Sequence, residues 1–358
     1  MLLRSKDSTS MIIKLLLVYI AFGFIVLYSA SEQSMPTLIS QGSKMLLGFI
    51  LMLMLKYLPM RYIKDFVEPF YLFSVFILFI IFFIGTTGKG ATRWLNLGFI
   101  KFQPSELIKL TLPLMLAKIL SNNTKQPNFY LAICAVTVPM ALILLQPDLG
   151  TALMITFISS IMIYAAGIPN IWIKLTSLIG IVASPIMWLY VLRDYQKARI
   201  FNFINPSLDP HGSGYNIIQS KIAVGSGGIF GQGWLHGTQI HYKFLPEHAT
   251  DFIFGVIAQE FGLLGCVFLL SIIAIIALRI INFCFHTNDR FAQLLCIGLI
   301  SHFILSAFIN IGMVIGILPV VGIPLSLISY AGTHNIIILM GFGMIMSCMR
   351  TDERKLLR

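Results

Sequence analysis

Apolar stretches long enough to cross a bilayer recur along the chain, separated by short polar breaks. They fall at about 11–30, 41–58, 66–84, 104–120, 128–145, 149–168, 170–190, 252–280, 291–317 and 325–349. The pattern predicts an all-α integral membrane protein of about ten transmembrane helices, one polytopic domain over 1–358. The cuts between 128 and 190 are the least sharp. One long interruption stands out. From Val191 to Asp251 the chain is rich in Gly, Pro and Asn, too polar to span and too aromatic for a plain linker. It forms a long loop, about 191–251, between helices 7 and 8. The first apolar stretch, IIKLLLVYIAFGFIVLYSA, lacks a clear small-residue cleavage site and reads as an uncleaved first helix.

Composition agrees with this reading. The chain of 358 residues is 57% hydrophobic and 11% charged. Its mean hydropathy of +0.88 exceeds that of soluble domains of similar size. The net charge of +11 would suit nucleic acid, but in a polytopic protein it reflects basic cytoplasmic loops. With an even number of spans, Arg4, Lys6, Lys14, Lys56, Arg61, Lys64, Lys118, Lys125, Lys174, Arg279, Arg290, Arg350, Arg354, Lys355 and Arg358 share a side with both termini. Only Lys44, Lys89, Arg93 and Lys101 oppose them outside the long loop and the helix-embedded Lys109. The expected location is therefore the cytoplasmic (inner) membrane, with cytoplasmic termini and the long loop extracytoplasmic. Cys134, Cys266, Cys284, Cys296 and Cys348 lie in apolar runs without metal or disulfide spacing and read as small core residues.

Only 14 carboxylates are present, and those at membrane depth are costly enough to mark functional cavities. Glu106 and Lys109, in QPSELIKL, share a helix face at i, i+3. They are either a charge pair that helps the helix start, with Ser105 near its N-cap, or part of a substrate cavity. Asp148, in QPDLGTAL, suits a helix start after Pro147, and its dipole role is favoured over catalysis. Asp251 stands at the threshold of FIFGVIAQE. Thr250 or Asp251 could cap that helix, or Asp251 could serve as a base, its pKa raised by burial and by Glu247. Glu260, beside Gln259, sits deeper and suits an internal polar pairing.

The loop cations Arg193, Lys197, Arg199, Lys221 and Lys243 suit an anionic, lipid-linked diphosphate, or else simply a solvated surface. GSGGIFGQG lacks the Lys of a phosphate loop and reads as backbone that turns or approaches another chain segment closely. His236, His241 and His248 have no zinc spacing.

Several of these runs together identify a family. QPSELIKL at 103–110, QPDLGTAL at 146–153, NPSLDPHGSGYNIIQSKIAVGSGGIFGQGWLHGTQ at 205–239, LPEHATDFIF at 245–254 and ILPVVGIPLSLISYAG at 317–332 follow one another in order. The chain resembles the SEDS proteins (shape, elongation, division and sporulation), the RodA/FtsW family, over roughly 11–349. LDPHGSGYNIIQSKIAVGSGG followed by GTQ points to the elongation branch over the division branch. The resemblance implies a ten-helix peptidoglycan glycosyltransferase that polymerises lipid II and works with a class B penicillin-binding protein among other elongation-complex membrane proteins. Its other lipid substrate is the undecaprenyl-diphosphate-linked glycan.

The family's essential aspartate corresponds to Asp251, expected as the general base. Arg199, Lys109 and Lys221 are expected to stabilise the departing diphosphate, with Glu106, Glu247, Gln219 and Ser220 as further substrate-binding candidates. Asp148 and Glu260 are structural or cavity polar groups. A divalent cation, magnesium or manganese, would suit oxygen ligands near Asp251 or Glu247. The runs also depart from the family. His248 precedes Ala249 instead of standing directly before Thr250, the acidic pair is Gln259–Glu260, and SYGGSS becomes SYAGTH with Ala331, Thr333 and His334. The rival readings are a lipid II flippase, for which neither an inverted repeat nor a clearly broken helix pair is evident, and a non-catalytic scaffold.

Overall fold

The computed structural model describes residues 5–88, 91–96, 101–122, 128–172, 187–192, 194–209, 213–238 and 247–356, with a few single residues between 174 and 185. Helices dominate it. In chain order they are α1 (Ser5–Ala30), α2 (Met35–Tyr57), α3 (Met60–Ile84), α4 (Pro104–Ser121), α5 (Phe129–Leu145), α6 (Leu149–Ala165), α7 (Asp194–Ile204), α8 (Ser213–Ser226), α9 (Ile253–His286), α10 (Arg290–Val314) and α11 (Gly332–Leu356). Six are long and apolar enough to cross a membrane: α1 from Thr9, α2, α3, α9, α10, and α11 to Asp352. α5 and α6 are apolar but shorter. The stretch 170–190 falls largely outside the described residues.

The architecture differs from the sequence expectation in four places. A small antiparallel sheet, β1 (Thr86–Gly88), β2 (Ala91–Asn96) and β3 (Lys101–Phe102), joins α3 to α4 in the order β1-β2-β3. Gly88, Gly90 and Gly98 and the β-branched Thr86, Thr87 and Thr92 disfavour a helix there, and Thr87 pairs with Thr92 while Leu95 pairs with Phe102. The long loop is also partly helical, since α7 and α8 lie inside it. The last apolar run divides, because 325–331 is a loop with Leu325, Leu327 and Ile328 buried and α11 begins only at Gly332. α11 then continues to Leu356, past the end of the last apolar run at about 349 and into the charged DERKL segment.

α4 is enclosed on nearly all sides, with contacts to α3, α5, α6, α10 and α11. A helix shielded from lipid need not be uniformly apolar, which is why this one can hold an ion pair. α2 packs along α11, where Gly48 meets Ile336 and Leu339, and Gly343 meets Met52. Small residues allow such close helix approach in membranes.

α9 is not continuous. At Gly262 the backbone turns to φ 64°, ψ −160°. A break inside an apolar helix frees backbone groups that lipid cannot satisfy. The glycine-rich segment after α8 satisfies them. Leu263 and Leu264 donate to the carbonyls of Gly228 and Ile229 at 2.9 and 3.2 Å, and Gln232 and Gly233 donate to those of Gln259 and Glu260 at 2.9 and 3.1 Å. A Cβ on Gly231, which sits at φ +81°, would run into the Glu260 carbonyl. Gly231→Ala should therefore cost about 2–4 kcal/mol, combining left-handed strain with overpacking. A fall of several degrees in the thermal unfolding midpoint in detergent would show it, and an unchanged midpoint would refute the close approach.

Candidate active site

Two polar groupings meet at the end of the bundle where α4, α6, α9 and α11 begin. The first surrounds Asp251. Residues 247–252 form a turn in which Thr250 and Phe252 donate to the Glu247 carbonyl at 3.0 and 3.3 Å, with Glu247 at φ +55°. Phe252, not Thr250 or Asp251, occupies the N-cap position of α9, and its side chain makes no cap bond.

The backbone of 249–251 is held by two other elements. Asn310 of α10 donates to the Asp251 carbonyl at 2.9 Å and to that of Ile323 at 2.8 Å. Ser329 donates to the Thr250 carbonyl at 2.6 Å, and the Tyr330 amide donates to that of Ala249 at 2.9 Å. Asp251 itself is partly exposed, and its carboxylate lies over Gly322, where an added Cβ would sit 3.4 Å from Oδ2.

The second grouping is sealed in the core. Lys109 donates to Glu106 Oε1 at 2.6 Å, and His334 Nδ1 lies 2.9 Å from Glu106 Oε2. His334 Nε2 is 2.9 Å from the Ser326 hydroxyl, and the His302 ring meets His334 edge to face at 5.5 Å. Glu106, Lys109, His302 and His334 are each at least nine-tenths buried.

The loop 315–331 joins the two groupings. It offers Ser326 to the buried cluster and Gly322, Ser329 and Tyr330 to the Asp251 turn. Asn335 holds it in shape, accepting from the Leu327 amide at 2.7 Å and donating to the Ser329 carbonyl at 3.0 Å, and Leu327 sits at φ +64°. α2 braces the same loop. Gln41 donates to the Ser329 carbonyl at 3.0 Å, and Lys44 reaches the Tyr330 hydroxyl at 3.2 Å while lying 4.6 Å from the ring centroid. Burial alone would raise the Tyr330 pKa, but the hydrogen bonds with Ser40 and Lys44, together with the Lys44 charge, hold it below the ordinary tyrosine value.

With this geometry in place, the chain can be compared with known proteins. Residues 9–354 match the cell cycle protein family of FtsW, RodA and SpoVE. The chain belongs to this family. MrdB of Escherichia coli K12, named a peptidoglycan glycosyltransferase, is 38% identical over 346 residues, covering 95% of this chain and 92% of its own length. RodA of Treponema pallidum, named likewise, is 29% identical and covers 96% and 97%. The crystal structure of Thermus thermophilus rod shape determining protein RodA aligns with a TM-score of 0.73 at 27% identity, covering 95% of this chain and 96% of that one. A chain from a structure of a peptidoglycan synthase complex that coordinates polymerization and crosslinking aligns with a TM-score of 0.82 at 31% identity, covering 95% and 97%.

In this FtsW/RodA/SpoVE-family chain the candidate residues from sequence are dispersed. Asp148 is the N-cap of α6. It accepts from the Thr151 amide at 3.2 Å and from the Thr151 hydroxyl at 3.0 Å, and it also faces Gln103 and Arg93. Glu260 accepts from Ser29 of α1, and Gln259 donates to Ser226, Gln232 and Thr238. Ser220 is buried and donates to the carbonyls of Ile217 and Val314, both at 3.0 Å, so its hydroxyl anchors α8 to the end of α10. Gln219 is half-buried beside it, and Lys221 is exposed with its stem against Gly316. Arg199 is half-buried on α7, whose Gln196 reaches the Pro147 carbonyl at 3.4 Å. Glu247 is exposed. Arg193, Lys243 and His241 lie outside the described residues.

The sequence reading overlooked Asn310, Ser326, Ser329 and His302, and saw His334 only as a departure from the family pattern. One signal was present. His302, Ser306 and Asn310 recur at i, i+4, i+8 within an apolar run, which places three polar groups on one face of α10, and all three are buried. The proposed metal position at Asp251 and Glu247 has no matching ligand group among the described residues. Glu106, His302 and His334 do form one, with ligand atoms within 4.8 Å of one another.

Proposed function

We propose that this chain is a peptidoglycan glycosyltransferase that polymerises lipid II during cell elongation. What carries the reading is the 38% identity to MrdB, a named peptidoglycan glycosyltransferase, over 95% of the chain. On this reading the protein has about ten spans, both termini are cytoplasmic, and the Asp251 end faces outward beneath the long loop. The basic residues at the opposite helix ends, Lys56, Arg61, Lys64, Lys118, Arg279, Arg290 and Arg350, support that orientation.

Asp251 is the general base. Its partly exposed carboxylate can meet a substrate, while its backbone is fixed by Asn310 and by the 322–330 loop. It removes the proton from the 4-hydroxyl of the N-acetylglucosamine of lipid II. The freed oxygen attacks the anomeric carbon of the lipid-linked growing chain and inverts it to a β-1,4 bond. The lipid diphosphate is already a good leaving group, so no second carboxylate has to protonate it, unlike the paired acids of glycoside hydrolysis. Arg199 and Lys221 are the cations of this chain assigned to the leaving diphosphate, whereas Lys109, expected in the same role, is sealed in the core against Glu106 and is not open to it. A class B penicillin-binding protein is the partner, a reading supported by the structural likeness to a chain of a peptidoglycan synthase complex.

The test is reconstitution. Purified chain, cognate penicillin-binding protein and lipid II should yield glycan ladders, whereas vesicles should show lipid II movement without polymer if the protein is a flippase. Among the described residues, the broken helix α9 is the one feature that favours transport. Its freed backbone groups, however, are already tied to 228–233. Ladders that never form with an active partner would remove the enzymatic reading.

Asn310 offers a finer check. Asn310→Ala removes both bonds that fix Asp251 against Ile323 and should lower the polymerisation rate about ten- to hundredfold through misplacement of the base. KM for lipid II should change little. A rise in KM with unchanged kcat would assign Asn310 to substrate binding instead.

A further inference from the structure

Buried polar groups without partners need a physical account, and His302 Nε2 is one of them. The ring is 2% exposed, in the middle of α10, and among the described residues no donor or acceptor reaches this nitrogen. The His302 ring meets that of His334 edge to face, and one ligand atom from each of Glu106, His302 and His334 lies within 4.8 Å of the other two. The three residues come from three separate helices, α4, α10 and α11. None lies next to another in sequence, so only the packing brings them together.

We propose that Glu106, His302 and His334 form a binding site for a nitrogen-preferring divalent transition metal, best matched by zinc. Two imidazoles and one carboxylate are an open-site donor set for zinc, and they disfavour magnesium, which takes oxygen ligands. With bonds of roughly 2.1 Å, donors around a tetrahedral ion stand roughly 3.4 Å apart. A pair at the 4.8 Å limit must close by about 1.4 Å to reach that separation, and the Glu106–His334 contact must open slightly from 2.9 Å.

The surrounding groups already provide the orientation such a site needs. His334 donates from Nδ1 to Glu106 and accepts from Ser326 at Nε2. When a metal takes Nδ1, the ring proton moves to Nε2 and the Ser326 oxygen accepts it, so the same two partners serve both tautomers. A hydrogen bond to the second ring nitrogen is the usual way in which a metal-bound histidine is held.

Lys109 opposes the metal. It occupies Glu106 Oε1 at 2.6 Å and adds a positive charge inside the core. The structure therefore assigns a site of limited affinity with one coordination position left open, and the adjacent ammonium favours an anion as the fourth ligand. Removing Lys109 should tighten the metal.

The experiment uses the full chain purified in detergent, stripped with a chelator and dialysed against cobalt(II) as a visible probe for zinc. About one cobalt per chain is expected, with the visible band of an imidazole-ligated ion, displaced stoichiometrically by zinc and not by magnesium. His302→Ala and His334→Ala should each lose that ion, and Lys109→Met should bind it at least tenfold more tightly. The wild-type spectrum and its displacement by zinc test the site even where a histidine variant fails to fold. Absence of a stoichiometric ion in wild type, displacement by magnesium, or an unchanged cobalt spectrum in folded His302→Ala and His334→Ala would each overturn the assignment. Metal stoichiometry is measured without lipid II, so this outcome is independent of the glycosyltransferase reading.

Discussion

Asp251→Asn is expected to reduce lipid II polymerisation by about two to four orders of magnitude, the range that one positioned base contributes. The substitution keeps the shape of the side chain and removes its capacity to take a proton. Folding should survive, because the bonds that fix this turn are made by the backbone. Asn310 holds the residue's carbonyl, and Ser329 and Tyr330 hold the carbonyls of Thr250 and Ala249. Glycan ladders from wild type and variant, with the same penicillin-binding partner and equal amounts of folded protein, measure the loss. Equal ladders would keep the enzyme but remove Asp251 as its base. Glu247→Gln supplies the contrast. That side chain is exposed on the same turn, and the expected loss is less than tenfold, below what a positioned base contributes.

The second large effect concerns the sealed pair. Glu106 and Lys109 are 6% and 2% exposed, so removing one leaves the other as an uncompensated buried charge. Breaking such a pair costs about 3–5 kcal/mol. Glu106→Gln and Lys109→Met should each lower the unfolding midpoint in detergent by several degrees, and the double variant should lose less than the sum of the two. Additive losses would show that the two side chains act separately. Single variants as stable as wild type would show that water reaches the pair. Glu106→Gln also weakens the partner of His334, so its loss should exceed that of Lys109→Met.

Much of this molecule is readable from the order of its residues, because lipid imposes a coarse rule. A helix that faces hydrocarbon must be apolar over its length, and α1, α2, α3, α9 and α10 coincide with apolar runs for that reason. The rule loses resolution where protein replaces lipid as the surroundings. The apolar residues at 325–331 belong to a buried loop, and periodicity alone cannot separate a buried loop from a buried helix. The glycines of 225–233 signalled close approach, but their partner, the break at Gly262, is distant in sequence and became visible only in the packed backbone.

Functional residues divide along the same line. Asp251 was visible because a carboxylate at the threshold of an apolar run is costly and because its run resembles a known family. Glu106 and Lys109 were visible as one face of a helix, since i, i+3 spacing is a local property. Sequence by itself determined the helical membrane class, the isolation of a few charges at membrane depth, and the local pairing of Glu106 with Lys109. Tertiary structure alone decided that His334 and His302 join that pair, that Asn310 and Ser329 hold the Asp251 turn, and that Ser220 serves as an anchor, whereas the helix-start role of Asp148 was already legible in its local run. The physical reason is range. Hydropathy and helical spacing act over neighbouring residues, whereas hydrogen bonds such as those joining Glu106 to His334 and Asn310 to Asp251 connect segments that meet only after the bundle has packed.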